Sequence, residues 1–368
     1  MSKKWDELIQ QFLKVSLKKK EVIVSNFELT ARCNLQCKMC YVCRPANDKL
    51  AKDKELTTAQ WIRLAEEARD AGLLFLTLTG GEVFLREDFR IIYEKLTKLG
   101  FIIKIYTNGT LMTPDIINWL ATMPPKEVSI TLYGTSRETY QKVTGNAEGF
   151  DKAVQAIDTL RAKGIQTEIK TTVIHANMHE YKQLIDFAEQ RESRLGVVNY
   201  VSPRREGCHS DPLGNRLSPQ ELFQYERKIT EYHQQVNAEA DEIFSIISRG
   251  DEDHPLSKVD STDAFKCSAG KCGVWVTWEG HLTTCGLLET PESNPAEKGF
   301  LAAWEEIKHK CTLIPVSKEC RECQYQAYCD YCPAKLYRET GHYDQPAPYL
   351  CELARLRTEC AVQLGNNL

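Results

Sequence analysis

A chain of 368 residues with a formal net charge of −4, 42% hydrophobic and 27% charged residues has the composition of an ordinary globular protein, long enough for one large domain plus an appendage. The charge balance carries no footprint for nucleic acid, and no apolar run approaches the ~20 residues of a membrane span. The N-terminus lacks the apolar core and cleavage site of a secretion signal, so the sequence predicts a cytoplasmic protein with no membrane partner.

In chain order, Trp5, Leu8, Ile9, Phe12 and Leu13 fall at helical spacing and predict an amphipathic helix over 1–20. Short β-rich segments then alternate with helical patterns, the strands expected at 22–30, 73–79, 101–106, 127–133, 165–174 and 195–201. Thr57 with Gln60 makes a capping-box pattern, and Thr113-Pro114 puts proline at a first helical position. Gly100 and Gly164 fall just past helix ends. Six such units imply parallel strands joined by helical crossovers. A closed eight-stranded barrel would need two more units, so the expected fold is α/β, a partial (β/α)6 TIM-like barrel over 21–205. Residues 206–262 read as a linker with a helix starting near Ser218-Pro219-Gln220-Glu221, and 263–368 as a small cysteine-rich α+β domain ending in a helix.

The cysteines carry the chemistry. There are fifteen, bunched near residues 33–43 and 267–332, and in a reducing compartment such clusters point to metal rather than disulfides. Cys33, Cys37 and Cys40 form C-x3-C-x2-C in the loop after the first strand, at the strand ends where parallel α/β folds place their sites. Four-iron clusters normally take four thiolates, so three would leave one iron open. Zinc predicts paired C-x2-C elements and four ligands instead.

The stretch Cys33-Asn34-Leu35-Gln36-Cys37-Lys38-Met39-Cys40-Tyr41 resembles the signature of the radical S-adenosylmethionine (SAM) superfamily. That resemblance implies a 4Fe-4S cluster whose open iron chelates S-adenosylmethionine, and reductive cleavage to a 5′-deoxyadenosyl radical that abstracts hydrogen from substrate. Thr79-Gly80-Gly81-Glu82 resembles the motif that meets the methionine amino group: paired glycines let backbone approach a ligand, and Glu82 can accept from an ammonium. Val83 stands where the family commonly has proline. Asn108, within Thr107-Asn108-Gly109-Thr110, resembles a site-lining element. Ser129 is a candidate ribose contact and Lys170 a candidate partner of the cofactor carboxylate.

The C-terminal cysteines, at 267, 272, 285, 320, 323, 329, 332 and 351, resemble the SPASM extension of radical SAM enzymes. The resemblance implies two auxiliary 4Fe-4S clusters, three clusters in all. One would be held by Cys267, Cys272, Cys285 and Cys332, the other by Cys320, Cys323, Cys329 and Cys351; the final core spacing is x2 where x3 is frequent in the family. Of the remaining cysteines, Cys43 and Cys208 are candidate hydrogen donors to a substrate radical, with a plain buried thiol as the alternative for each.

The resemblance implies maturation of a peptide or protein, by crosslinking, thioether formation, epimerisation or residue oxidation. It also implies an electron donor such as flavodoxin or ferredoxin, and a separate leader-recognition partner, because only about 20 residues precede the first strand. Gly286 after Cys285 argues against a sulfatase-maturing enzyme, where an aspartate is typical. Two alternatives stand beside this reading: a radical SAM dehydrogenase or decarboxylase of a small molecule or cofactor precursor, and a non-catalytic zinc-binding interaction protein.

Overall fold

The computed structural model describes residues 3–42, 44–205, 208, 210–236 and 264–365. Six parallel strands run β1 (Val24–Thr30), β2 (Phe75–Gly80), β3 (Ile102–Thr107), β4 (Glu127–Thr131), β5 (Thr167–Thr172) and β6 (Arg194–Val198). They are ordered as in the sequence, and each pairs in parallel with the next. Helices α2 (Thr58–Asp70), α3 (Phe89–Lys98), α4 (Pro114–Thr122), α5 (Arg137–Thr144), α6 (Gly149–Ala162) and α7 (Tyr181–Glu189) lie in the crossovers. The capping box at Thr57 and Gln60 forms as expected, and Thr113 caps α4 with Pro114 behind it.

Strand alternation divides each side chain row between two environments. Phe27, Leu29, Leu76, Leu78, Ile103, Ile105, Val128, Ile130 and Ile169 join Trp61, Leu64, Ile92, Leu96, Leu120, Ile157 and Leu160 of the helices in one buried apolar core. The opposite row is polar and self-paired. Lys104 meets Glu127 at 3.1 Å, and Glu168 takes Ser129 at 2.6 Å and Lys170 at 3.4 Å. Glu28 is 1% exposed. This charged lumen is the face on which a site can be built.

The structure departs from the expected domain division. Strand β7 (Gly273–Val276) pairs in parallel with β1, and β8 (Leu282–Thr283) and β9 (Glu292–Ser293) follow antiparallel, so one nine-stranded sheet crosses the boundary set near residue 263. Helix α9 (Phe300–Thr312) inserts Phe300, Ala303, Trp304 and Ile307 into the main core. The first half of the cysteine-rich region is thus built onto the barrel's open edge. A parallel sheet left with a bare first strand would expose unpaired backbone groups, and β7 pairs them.

Helix α1 (Lys3–Lys19) places Leu13 and Leu17 against Ile23, Leu74, Phe75 and Cys272. Helix α8 (Pro219–Val236) lies in the stretch expected to be a linker and packs on α11 (Pro348–Gly365), after α10 (Pro333–Thr340). Arg357 of α11 makes a buried pair with Glu226 of α8 at 2.5 Å, and reaches Asp330 at 2.8 Å, next to Cys329. No helix among the described residues is long and apolar enough to cross a membrane.

Candidate active site

The cysteine loop is held from three sides. Arg32, just before Cys33, pairs with Glu55 at 2.7 Å, and its guanidinium also donates to the Ala46 carbonyl. Backbone N–H groups of Gln36 and Lys38 donate to the carbonyls of Thr144 and Val143 at the end of α5. Below the loop, Leu35, Met39, Val143, Ile174 and Val201 bury Cys33 and Cys37 in an apolar pocket, with Cys40 packed at its side. Burial pushes the Cys37 thiol well up, reinforced by the neighbouring Cys40 and Cys33. The three candidate ligands thus sit on one braced loop at the strand ends.

The two glycines of the Gly80-Gly81 pair serve this loop. A register shift between Glu28 and Thr30 brings Thr30 opposite Gly80. A Cβ on Gly80 would collide with the Thr30 carbonyl oxygen, and one on Gly81 with the carbonyls of Ala31 and Arg32. The pair therefore permits backbone to approach the cysteine loop, whereas the sequence suggested approach to a ligand. Gly81→Ala is expected to push Arg32 and Cys33 outward and lower the iron bound at the first triad. Iron assay of the anaerobically reconstituted variant beside the wild type checks this.

The four side chains expected to contact the cofactor each also have partners inside the protein. Glu82 is fully buried and accepts from Thr107 Oγ1 at 2.7 Å, Asn108 N at 2.8 Å and Phe84 N at 3.1 Å. Burial raises its pKa, against the pull of those donors. Asn108 donates to Asn34 Oδ1 at 2.9 Å and to Cys33 Sγ at 3.6 Å, and its own Oδ1 accepts from Thr110. It orients a candidate ligand. The Ser129 hydroxyl donates to Glu168, and Lys170 is shared between that carboxylate and the face of Tyr106, 3.6 Å away. Burial opposes ionisation of Glu168, yet Lys170, Ser129 and Arg194 together hold its carboxyl below the usual range.

The eight C-terminal cysteines separate by mutual influence. Burial raises Cys285 to about 12, and its thiol neighbours are Cys332 and Cys267; Cys272 is raised to about 12 beside Cys267. Burial raises Cys329 to about 11, with Cys320 and Cys351 as neighbours, and Cys351 in turn faces Cys320 and Cys323. Cys285 and Cys332 pack against one apolar cluster, and Cys320 and Cys329 against another. Cys43 lies outside the described residues. Cys208 is buried, donates its thiol to the Tyr41 carbonyl at 3.0 Å, and is raised to about 11 by burial and by Cys40. Cys311 packs on Gly270 behind the Cys267–Cys272 loop.

Sequence reading missed the residues joining the first cysteine loop to the third. Arg205 is 6% exposed and pairs with both carboxylate oxygens of Glu28, at 3.0 and 3.1 Å. Its Nε and Nη2 both donate to the Gly286 carbonyl, and its guanidinium lies 5.3 Å from the Tyr41 ring centroid. The available signal was Glu28 itself, the one charged residue of its strand, set between Phe27 and Leu29, which demands a buried cationic partner.

Comparison with known proteins agrees with this geometry. Residues 27–188 match the family model described as the radical SAM superfamily. The AdoMet-dependent heme synthase of Methanosarcina barkeri is 27% identical over 341 residues, 88% of this chain and 94% of that one. The antilisterial bacteriocin subtilosin biosynthesis protein AlbA of Bacillus subtilis is 25% identical, covering 84% of this chain and 67% of that one. Among solved structures, Streptococcus suis SuiB bound to S-adenosylmethionine superposes with a TM-score of 0.68 at 17% identity, covering 95% of this chain and 83% of that one. With its cysteine triad on a partial parallel barrel and a cysteine-rich region behind it, the chain carries a radical SAM superfamily domain over residues 27–188.

Proposed function

We propose that this enzyme carries out an oxidation in which a cofactor precursor, of the carboxylated tetrapyrrole kind, loses a hydrogen atom and then an electron. The observation that supports the oxidative reading is the placement of Cys285 with Cys332 and of Cys320 with Cys329 at separate apolar clusters, the Cys285 loop being joined through Arg205 to the first cysteine loop. In this reading Cys33, Cys37 and Cys40 hold the reactive 4Fe-4S cluster. Cys267, Cys272, Cys285 and Cys332 hold one auxiliary cluster, and Cys320, Cys323, Cys329 and Cys351 the other. When bound, the first cluster and S-adenosylmethionine supply a 5′-deoxyadenosyl radical, and the auxiliary clusters supply a sink for one electron.

The spacing of the first triad, x3 then x2, supports a cluster over zinc, which favours paired C-x2-C elements and four ligands.

The protein's own tasks follow from its geometry. Glu82, Asn108 and the two glycines shape the triad's loop, beside which the cofactor would bind, and Ser129 and Lys170 present a lumen wall whose charges are already paired. A substrate entering that lumen meets fixed dipoles and little free water. An external one-electron donor such as flavodoxin or ferredoxin completes the scheme.

The substrate class rests on coverage: this chain aligns with nearly the whole length of a heme synthase but with two thirds of the bacteriocin maturase. A peptide substrate is the second reading, favoured by the likeness to AlbA, and it would bring the separate leader-recognition partner with it. The deciding experiment incubates anaerobically reconstituted enzyme with S-adenosylmethionine, dithionite and either iron coproporphyrin III or peptides encoded beside the gene. Loss of carbon dioxide plus two hydrogens from the porphyrin supports the first reading. A mass change confined to a peptide overturns it in favour of the second.

A further inference from the structure

We propose that Arg205 is a positioning residue that locks the ligand loop of one auxiliary site onto the loop of the reactive triad, fixing the route by which an electron leaves the substrate. This rests on the oxidative reading above.

The contacts form one continuous chain. Cys40 is followed by Tyr41, whose carbonyl accepts from the Arg205 backbone N–H at 2.9 Å and whose ring lies against the guanidinium. The guanidinium donates to the carbonyl of Gly286, the residue after Cys285, through two of its nitrogens. Glu28 neutralises the charge from the β1 side and also accepts from Trp275 Nε1 at 3.1 Å. Trp275 lies flat on Gly286, where a Cβ would stand 2.9 Å from its ring. The two candidate ligand loops are therefore bridged through the Arg205 backbone and guanidinium.

A merely structural ion pair would need none of this aim. A buried Arg–Glu pair is weak evidence for stability, since its desolvation offsets its attraction. What is specific here is that the remaining donors of the fork are spent on the backbone of a candidate ligand loop. Hydrogen bonds and charge at that range set both the orientation of a cluster and its potential.

The electron balance gives the arrangement a task. One electron from the external donor is consumed in cleaving S-adenosylmethionine. The substrate C–H bond breaks with its hydrogen atom passing to the 5′-deoxyadenosyl carbon. A substrate radical that lost carbon dioxide would still have one electron to give up, and an auxiliary cluster held by the Cys285 loop would supply the acceptor, with a one-electron carrier of the flavodoxin class as its outlet. If the second transfer is slow, radicals are quenched and cofactor is consumed without product.

The test compares wild type with Arg205→Lys, which keeps the charge and loses the fork, and with the double variant Glu28→Gln/Arg205→Met, which leaves no unpaired buried charge. Two quantities are read: the ratio of 5′-deoxyadenosine to product, and the midpoint potential of the auxiliary clusters by EPR-monitored redox titration. The ratio should rise about tenfold or more in the double variant and by less in Arg205→Lys, as for loss of an orienting neighbour of a metal ligand. One auxiliary signal should shift in potential while iron content is kept. An unchanged ratio and unchanged auxiliary potentials in either variant at full iron loading would overturn the proposal. Should the double variant not fold, Arg205→Lys decides alone. Wild-type enzyme that forms no 5′-deoxyadenosine marks failure of the functional reading instead, since that outcome precedes any comparison.

Discussion

Replacing Cys33, Cys37 and Cys40 together by alanine is expected to reduce 5′-deoxyadenosine formation by about a thousandfold or more, because the cofactor carries the difficult chemistry and the residual protein has none of its own. Iron should fall by about four atoms per chain, the content of one cluster, with about eight retained. The partial loss matters as much as the lost activity. The triad sits in its own apolar pocket on the loop after β1, whereas the other eight thiols are carried on later segments of the chain, from Cys267 onward. Iron assay and turnover on the same preparation check both halves. Loss of all iron would mean that the three sites assemble as one unit, and retained turnover would remove the triad from the chemistry.

Glu82→Ala is expected to destabilise the fold by about 3–5 kcal/mol, since three buried donors each lose their acceptor at roughly 1–3 kcal/mol apiece, with partial relaxation. The donors are Thr107 Oγ1, Asn108 N and Phe84 N. Their release frees the Thr107–Thr110 turn, and Asn108 with it loses its aim at Cys33. Glu82→Gln keeps one oxygen acceptor and turns an amide donor toward a donor, so its cost should fall between wild type and alanine. Urea denaturation of the three proteins measures the order. A Glu82→Ala variant of wild-type stability whose only defect is a raised KM for S-adenosylmethionine would restore the direct ammonium contact suggested by the motif.

The strands were legible because their signals are local. The expected segment 101–106 is β3 (Ile102–Thr107) almost residue for residue, and apolar alternation with glycine at helix ends needs no tertiary information. The continuation of the sheet into β7 was not legible, since four residues, Gly273–Val276, between cysteines show too little period. What they pair with depends on the bare edge of β1, a property of the folded barrel.

The candidate site divides along the same line. Cysteine spacing offers candidate ligands because thiolates are the usual protein ligands of iron–sulfur clusters, and their grouping comes from the resemblance. The resemblance also puts Ser129, Lys170 and Asn108 at a cofactor, and in the fold each has a protein partner as well that is invisible in one dimension. Glu168 lies 39 residues from Ser129, and Asn34 lies 74 from Asn108. A short polar side chain at a site takes the partner its fold supplies first. Arg205 was missed for the converse reason: in a stretch rich in proline, glycine and charge it resembles any loop arginine, and only the fold shows Glu28 beneath it.

The central claim is that three thiolates leave one iron open to S-adenosylmethionine while two further clusters are fully ligated. EPR of dithionite-reduced, anaerobically reconstituted enzyme, recorded with and without S-adenosylmethionine, tests it most directly. One of three cluster signals should shift on addition, and that signal should be missing from the triple alanine variant while the other two persist. A spectrum indifferent to S-adenosylmethionine, or protein that binds zinc and no iron at these cysteines, would contradict the account.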